Sequence, residues 1–111
     1  MAVYDDFAKL DIRAGTIITA ERFPKARKPA YKLTIDFGPD IGIKRSSAQI
    51  TDYYTPENLI GKKILAVVNF PPRQIADFFS EVLVLGTESS GGIILSVPDM
   101  AVKVSDGDKL Y

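Results

Sequence analysis

The chain has 111 residues, 14 Lys and Arg against 14 Asp and Glu, and no histidine or cysteine. Those absences exclude a Ser-His-Asp triad, a thiolate nucleophile, and zinc bound by imidazole or thiolate, the usual zinc ligands, leaving only carboxylate or lysine chemistry. The length suits one domain over residues 1–111, no apolar run approaches the ~20 residues of a membrane span, and the N-terminus lacks a signal-peptide pattern, so a cytoplasmic protein without membrane insertion is expected.

Charge is balanced overall but unevenly spread. Arg22 to Arg73 carries a net +6 and the rest of the chain −6. A basic middle between acidic ends suits an anionic partner on one face, or a mixed solvated surface.

In chain order, Tyr4 to Lys9 reads as a short helix with Asp5 and Asp6 in its favourable first turn. Asp11 to Arg22 reads as a long strand. Its alternation breaks at Gly15, which suggests a bulge. Pro24 and Pro29 bracket a loop holding Lys25, Arg27 and Lys28. Tyr31, Leu33, Ile35 and Phe37 then alternate with Lys32, Thr34 and Asp36, a half-buried strand. Gly38-Pro39-Asp40 is a turn, and Ile41 to Ile50 is a third strand with a polar cluster at Ser46, Ser47 and Gln49. That cluster suits either ligand contact or bonds within the sheet. Thr55-Pro56-Glu57 opens a helix that Gly61 stops.

Lys63 to Asn69 and Glu81 to Gly86 read as strands four and five. The connector between them holds Asn69, Pro71, Pro72, Arg73, Phe78 and Phe79. Ser89-Ser90-Gly91-Gly92 is a turn, and Ile93 to Val97 is a sixth strand. A helix between strands three and four of a five-stranded antiparallel barrel is the OB-fold order. The fold class expected is therefore all-β, an OB-fold barrel with a short helix between strands three and four and extensions at both termini. Strands four and five are apolar on both faces, so their outer faces need a cover, and a homodimer supplies one.

Several side chains carry candidate binding chemistry. Lys25, Arg27, Lys28, Lys32, Lys44, Arg45 and Arg73 could contact RNA phosphates. Phe70, Phe78 and Phe79, with Arg73 at the rim, could line an apolar groove for peptide. Phe78 and Phe79 are adjacent, so an extended backbone turns only one of them inward. Asn69 suits bonding to backbone groups left free around the two prolines. The carboxylate pairs Asp36/Asp40 and Asp106/Asp108 have nothing to orient them. No catalytic residue, metal ligand or cofactor is assigned, and an enzyme is not expected.

Longer strings carry a resemblance. Asp11-Ile12-Arg13-Ala14-Gly15, Pro24, Asp36-Phe37-Gly38, Leu59-Ile60-Gly61-Lys62, Asn69 with Pro72 and Arg73, and Ser80-Glu81 resemble the stand-alone tRNA-binding-domain family. This is the OB-fold module also found at the C-terminus of some methionyl-tRNA synthetases. Within it, the strings 26–33, 46–51, 67–72 and 80–86 look most like a branch of bacterial secretion chaperones. The resemblance implies a cytoplasmic homodimer that binds unfolded preproteins or peptides and assists export with the Sec machinery. It also implies tRNA as a second partner. Three positions depart from the wider family. Asp77 stands where glycine is usual, Val82-Leu83 where Gly-Met is usual, and Gln74 where lysine is frequent. The lost cation at 74 and the anion at 77 weaken an anionic-ligand reading of the connector.

Overall fold

A computed structural model describes residues 1–111. Its elements are α1 (Tyr4–Ala8), β1 (Ile12–Arg22), β2 (Tyr31–Asp36), β3 (Ile43–Ala48), α2 (Pro56–Leu59) and β4 (Lys63–Val67). They continue with β5 (Arg73–Ile75), β6 (Phe78–Ser80), β7 (Leu83–Val84), β8 (Gly86–Ser89) and β9 (Gly92–Leu95). The main sheet has five antiparallel strands in the order β3-β2-β1-β4-β7. It curls into a nearly closed OB-fold barrel, with α2 between β3 and β4 as the sequence order implies.

The long first strand lets the barrel form. Ile12 to Thr16 pairs with β4, and Thr16 to Arg22 pairs with β2. The sequence places a bulge at Gly15, but Gly15 pairs regularly with Ile64. The register slips instead between Ile17 and Thr19. Gly15 serves packing: a Cβ there would stand 2.7 Å from the Phe37 ring. Removing that one carbon lets the β1 backbone lie against a fully buried aromatic.

The core follows the alternation of β2. Tyr31, Leu33 and Ile35 point inward, with Phe37 just beyond, and meet Ile17, Ile64, Ala66 and Leu59. Thr55 caps α2 by accepting from the Asn58 N–H at 3.2 Å, and Asn58 Oδ1 in turn accepts from the Thr55 N–H at 3.0 Å. Pro56 occupies the first turn, and Leu59 is the buried residue of the helix. Gly61, at φ +89°, ends it and donates its N–H to the Ile17 carbonyl at 2.8 Å.

Two boundaries differ from the sequence expectation. Strand five is only Leu83–Val84, because Gly86 leaves the barrel to pair with Leu95 in a separate β8–β9 hairpin. The 69–80 connector is itself a hairpin, with β5 and β6 joined by a two-residue turn at Ala76-Asp77, where Ala76 has φ +54°.

Side chains close the last side of the barrel. The Glu81 N–H donates to the Arg45 carbonyl at 2.8 Å, and the Glu81 carboxylate accepts from the Arg45 N–H at 3.0 Å. The Ser47 N–H donates to Ser80 Oγ at 3.0 Å, and the buried Ser46 hydroxyl donates to the Val82 carbonyl at 3.0 Å. Of the two readings of the polar cluster, Ser46 takes the internal one, while Ser47 lends only its backbone N–H to the seam. Serine and glutamate stand in for ladder bonds that the short β7 cannot supply.

Asn69 pins the N-terminal extension to the barrel. Its amide donates to the Lys9 carbonyl at 2.8 Å, and its carbonyl accepts from the Asp11 N–H at 2.9 Å. The role is structural, as expected, but the partners are the N-terminal segment rather than the backbone beside the prolines.

Candidate binding groove

A groove of about 1060 Å³ opens beside the seam between β3 and β7. Its floor is the outer surface of the core. Ala48, Ile50 and Val82 are buried beneath it, and Val84, Leu85 and Ile93 are half-buried along it. The β1–β2 loop overhangs one side with Arg27 and Lys28, and the β5–β6 hairpin approaches with Phe70 and Arg73. Residues far apart in sequence thus form one concave surface with an apolar bottom and a cationic rim.

The loop and the hairpin are joined at their tips. Lys25 Nζ lies 2.9 Å from an Asp77 carboxylate oxygen, with both side chains exposed. This hydrogen bond, reinforced by the opposite charge, raises the Lys25 pKa and lowers that of Asp77. The Asp77 departure therefore has a physical consequence: it consumes the charge of Lys25. Arg27, Lys28 and Arg73 form no ion pair and keep theirs for a ligand.

Phe78 corrects an expectation. It is 1% exposed and cannot line a binding surface. Its ring meets Phe23 edge-on at 5.4 Å between centroids, in a small second core with Ala30. Lys32 and Arg45 belong to the same assembly. Lys32 Nζ stands 4.8 Å from the Phe23 ring centre and 5.5 Å from that of Phe78, and the Arg45 guanidinium stands 4.4 Å over Phe78. These two cations roof an aromatic pair and lie outside the groove, where cation–π attraction holds them. Phe79, the alternating neighbour, is 55% exposed on the other face of the hairpin, also outside the groove. Lys44 is half-buried on β3 opposite Ile35 and likewise does not reach it.

Of the candidate residues, Lys25, Arg27, Lys28, Phe70 and Arg73 come together in the groove. Most of the floor escapes sequence reasoning. Val84, Leu85 and Ile93 look like ordinary strand residues until the chain leaves the barrel at Gly86 and uncovers them. Two members of the polar cluster, Ser47 on β3 and Gln49 just past its end, do line the groove.

A second recess, about 520 Å³ and open, lies beside Asp36, Gly38 and Asp106. Its carboxylates are engaged: Asp36 accepts from the Gly38 N–H at 2.8 Å, and Asp106 is held by Lys63 and Thr16, both at 2.6 Å. It offers a ligand little.

The chain is thus an OB-fold barrel with a basic-rimmed groove, and comparison gives its family. Residues 12–107 match the model of the putative tRNA binding domain, and the chain belongs to that family. Within it the chain is similar to CsaA. The CsaA chaperone protein from Picrophilus torridus is 55% identical with a TM-score of 0.94, over 100% of both chains. Chaperone CsaA from Bacillus anthracis str. Ames is 52% identical with a TM-score of 0.91, over 100% of this chain and 99% of that one. Among curated proteins, the methionine–tRNA ligase of Flavobacterium psychrophilum is 40% identical over 99 residues, 88% of this chain. The chain spans only 14% of that ligase's length, so the similarity concerns one module of it.

Proposed function

We propose that this chain is a chaperone of the CsaA type, a homodimer that binds unfolded preprotein and peptide segments without catalysis or cofactor. The observation that supports this best is the groove, whose apolar floor and cationic rim suit an extended, partly apolar polypeptide better than a compact small molecule. The likeness to two CsaA chaperones over their full length supports the same reading. Work in the cytoplasm beside the Sec export machinery extends it. Dimerisation draws on apolar side chains left at the surface. Leu83 is 50% exposed at the open end of the sheet, and Ile94, Val97 and Met100 are exposed on the C-terminal side.

A second reading has its own support. The family description names tRNA, and Arg27, Lys28 and Arg73 are free to meet phosphates. The two readings separate in one experiment: titration of a labelled unfolded polypeptide and a labelled tRNA at two salt concentrations. Peptide capture on the apolar floor gives binding that weakens with salt far less steeply than RNA binding does and is lost in Phe70→Ala. Binding to RNA gives a log–log salt slope of roughly 0.7–0.9 per phosphate contacted, reduced in an Arg27→Glu/Lys28→Glu variant. Failure of the unfolded polypeptide to bind at either salt concentration rejects the chaperone reading. Sedimentation at micromolar concentration tests the dimer, which a single monomeric species would reject.

A further inference from the structure

The groove has a backbone edge as well as an apolar floor. In an antiparallel sheet, alternate residues of an edge strand turn N–H and C=O away from their neighbour. In β3 the outward row is Arg45 and Ser47, as their bonds across the seam to Glu81 and Ser80 show. The next residue in that row is Gln49, one step beyond the end of β3. Its backbone makes no hydrogen bond, and it lines the groove.

The opposite wall has the same character. The Leu85 N–H donates to the Leu65 carbonyl at 2.9 Å, so Leu85 belongs to the row facing β4. Val84, opposite Ala66, then turns its N–H and C=O away from β4. It also lines the groove. The two edges are tied where Ser46 meets Val82 and lose their mutual bonds from Gln49 and Val84 onward. The barrel thus remains unzipped where its core surface is uncovered.

Resting on the chaperone reading, we propose that the groove holds its occupant by strand addition. An extended polypeptide segment with alternating apolar and acidic side chains adds to the edge that continues β3 at Gln49, facing Val84. Main-chain bonds supply sequence-tolerant affinity, as an exposed sheet edge does for an added strand. Strand geometry turns alternate side chains to opposite faces. One set meets the floor at Ile50, Leu85 and Ile93, and the other faces the loop that carries Arg27 and Lys28. The occupant's acidic character follows from charge complementarity. Three lining cations, Arg27, Lys28 and Arg73, form no ion pair and outnumber the one lining carboxylate, Glu81, whose Oε1 accepts from the Arg45 N–H, while Asp77 is taken by Lys25.

The test uses three fluorescent, N-acetylated peptides of alternating valine and glutamate: one unmodified, one N-methylated at the valines and one at the glutamates. Anisotropy gives each affinity for the full chain, alongside the unfolded polypeptide. A fivefold or greater loss on methylation in either register supports strand addition, and a smaller loss in both overturns it. Gln49→Pro removes the edge N–H where nothing in the protein uses it. The variant is expected to keep its melting temperature and to lose fivefold or more for the unmodified peptide. Should it fail to fold, the methylated series still decides. A dimer that becomes monomeric in Gln49→Pro without peptide would show that a second copy occupies the edge, overturning the proposal. So would an oligouridylate that binds when the peptide does not. If unfolded polypeptide binds and methylation has no effect, strand addition alone fails. If neither polypeptide nor peptide binds, the chaperone reading fails with it.

Discussion

Two sides of the barrel use similar residue types to opposite ends. Along β1, the C-terminal arm is fastened down. Lys63 meets Asp106 at 2.6 Å and Thr16 at 2.9 Å. Arg13 meets Asp11 at 2.6 Å and the Gly107 carbonyl at 2.9 Å, and its pKa is raised chiefly by the bond to Asp11. The backbones of Ala14 and Asp108 bond at 2.8 Å, as do those of Ile12 and Leu110. At the groove, Arg27, Lys28 and Arg73 lack carboxylate partners and the edge at Gln49 is open. Charge and polarity alone do not mark a binding surface. What sets the groove apart is that its unpaired cations stand beside an open backbone edge and an uncovered apolar floor.

The largest test of that contrast lies in the two adjacent phenylalanines. Phe78→Ala removes a buried ring from the second core and should cost roughly 3 kcal/mol in urea unfolding. Phe79→Ala should stay within about 0.5 kcal/mol. Equal losses in both would contradict the placement of Phe78 inside and Phe79 outside.

On the fastened side, Gly38→Ala comes next, at about 2 kcal/mol. A Cβ there would stand 2.6 Å from the Asp106 carbonyl oxygen, at a φ of +87°. Lys63→Met should cost about 1 kcal/mol, since it leaves Asp106 with Thr16 alone in a partly exposed site. On the open side, Arg27→Glu/Lys28→Glu should leave the unfolding midpoint nearly unchanged while altering ligand affinity. A midpoint that falls as far as that of Gly38→Ala would mean the loop is structural.

The same contrast explains what could be read in advance. The alternation from Tyr31 to Phe37 marks the core face directly, because a period of two leaves one arrangement. The signals at Thr55, Pro56 and Gly61 are local chemistry and mark α2 well. Partner identity is not local. Ser46 and Gln49 are both polar, yet one closes the seam with Val82 and the other lies on an open edge. Two lysines of the basic region diverge in the same way: Lys32 sits over aromatic rings while Lys28 lines the groove. The shortness of β7 is hidden for a related reason. Val82 to Leu85 is a uniformly apolar run, and only the pairing of Gly86 with Leu95 takes the chain out of the barrel.

The smallest effect concerns the clasp between Lys25 and Asp77, which joins the groove's two overhanging walls. The hydrogen bond from Lys25 is the main cause of the lowered Asp77 pKa. A lowered carboxylate pKa means a contribution that is present above the ordinary carboxylate range and lost as pH falls through the folded value. The raised Lys25 pKa has the opposite sign: its contribution is present below the ordinary lysine range and lost as pH rises through the folded value. The clasp is therefore intact across the neutral range and opens at both extremes. Both side chains are well exposed, so salt should weaken it as well. The protection factors of the amides at Ile75 and Phe78, the pair that closes the hairpin, should fall below the carboxylate range in the native chain. In Asp77→Asn they should already be low at neutral pH and lose that acid-dependent step. An Asp77→Asn variant with native exchange rates would show that backbone pairing between β5 and β6, rather than the clasp, holds the hairpin against the loop.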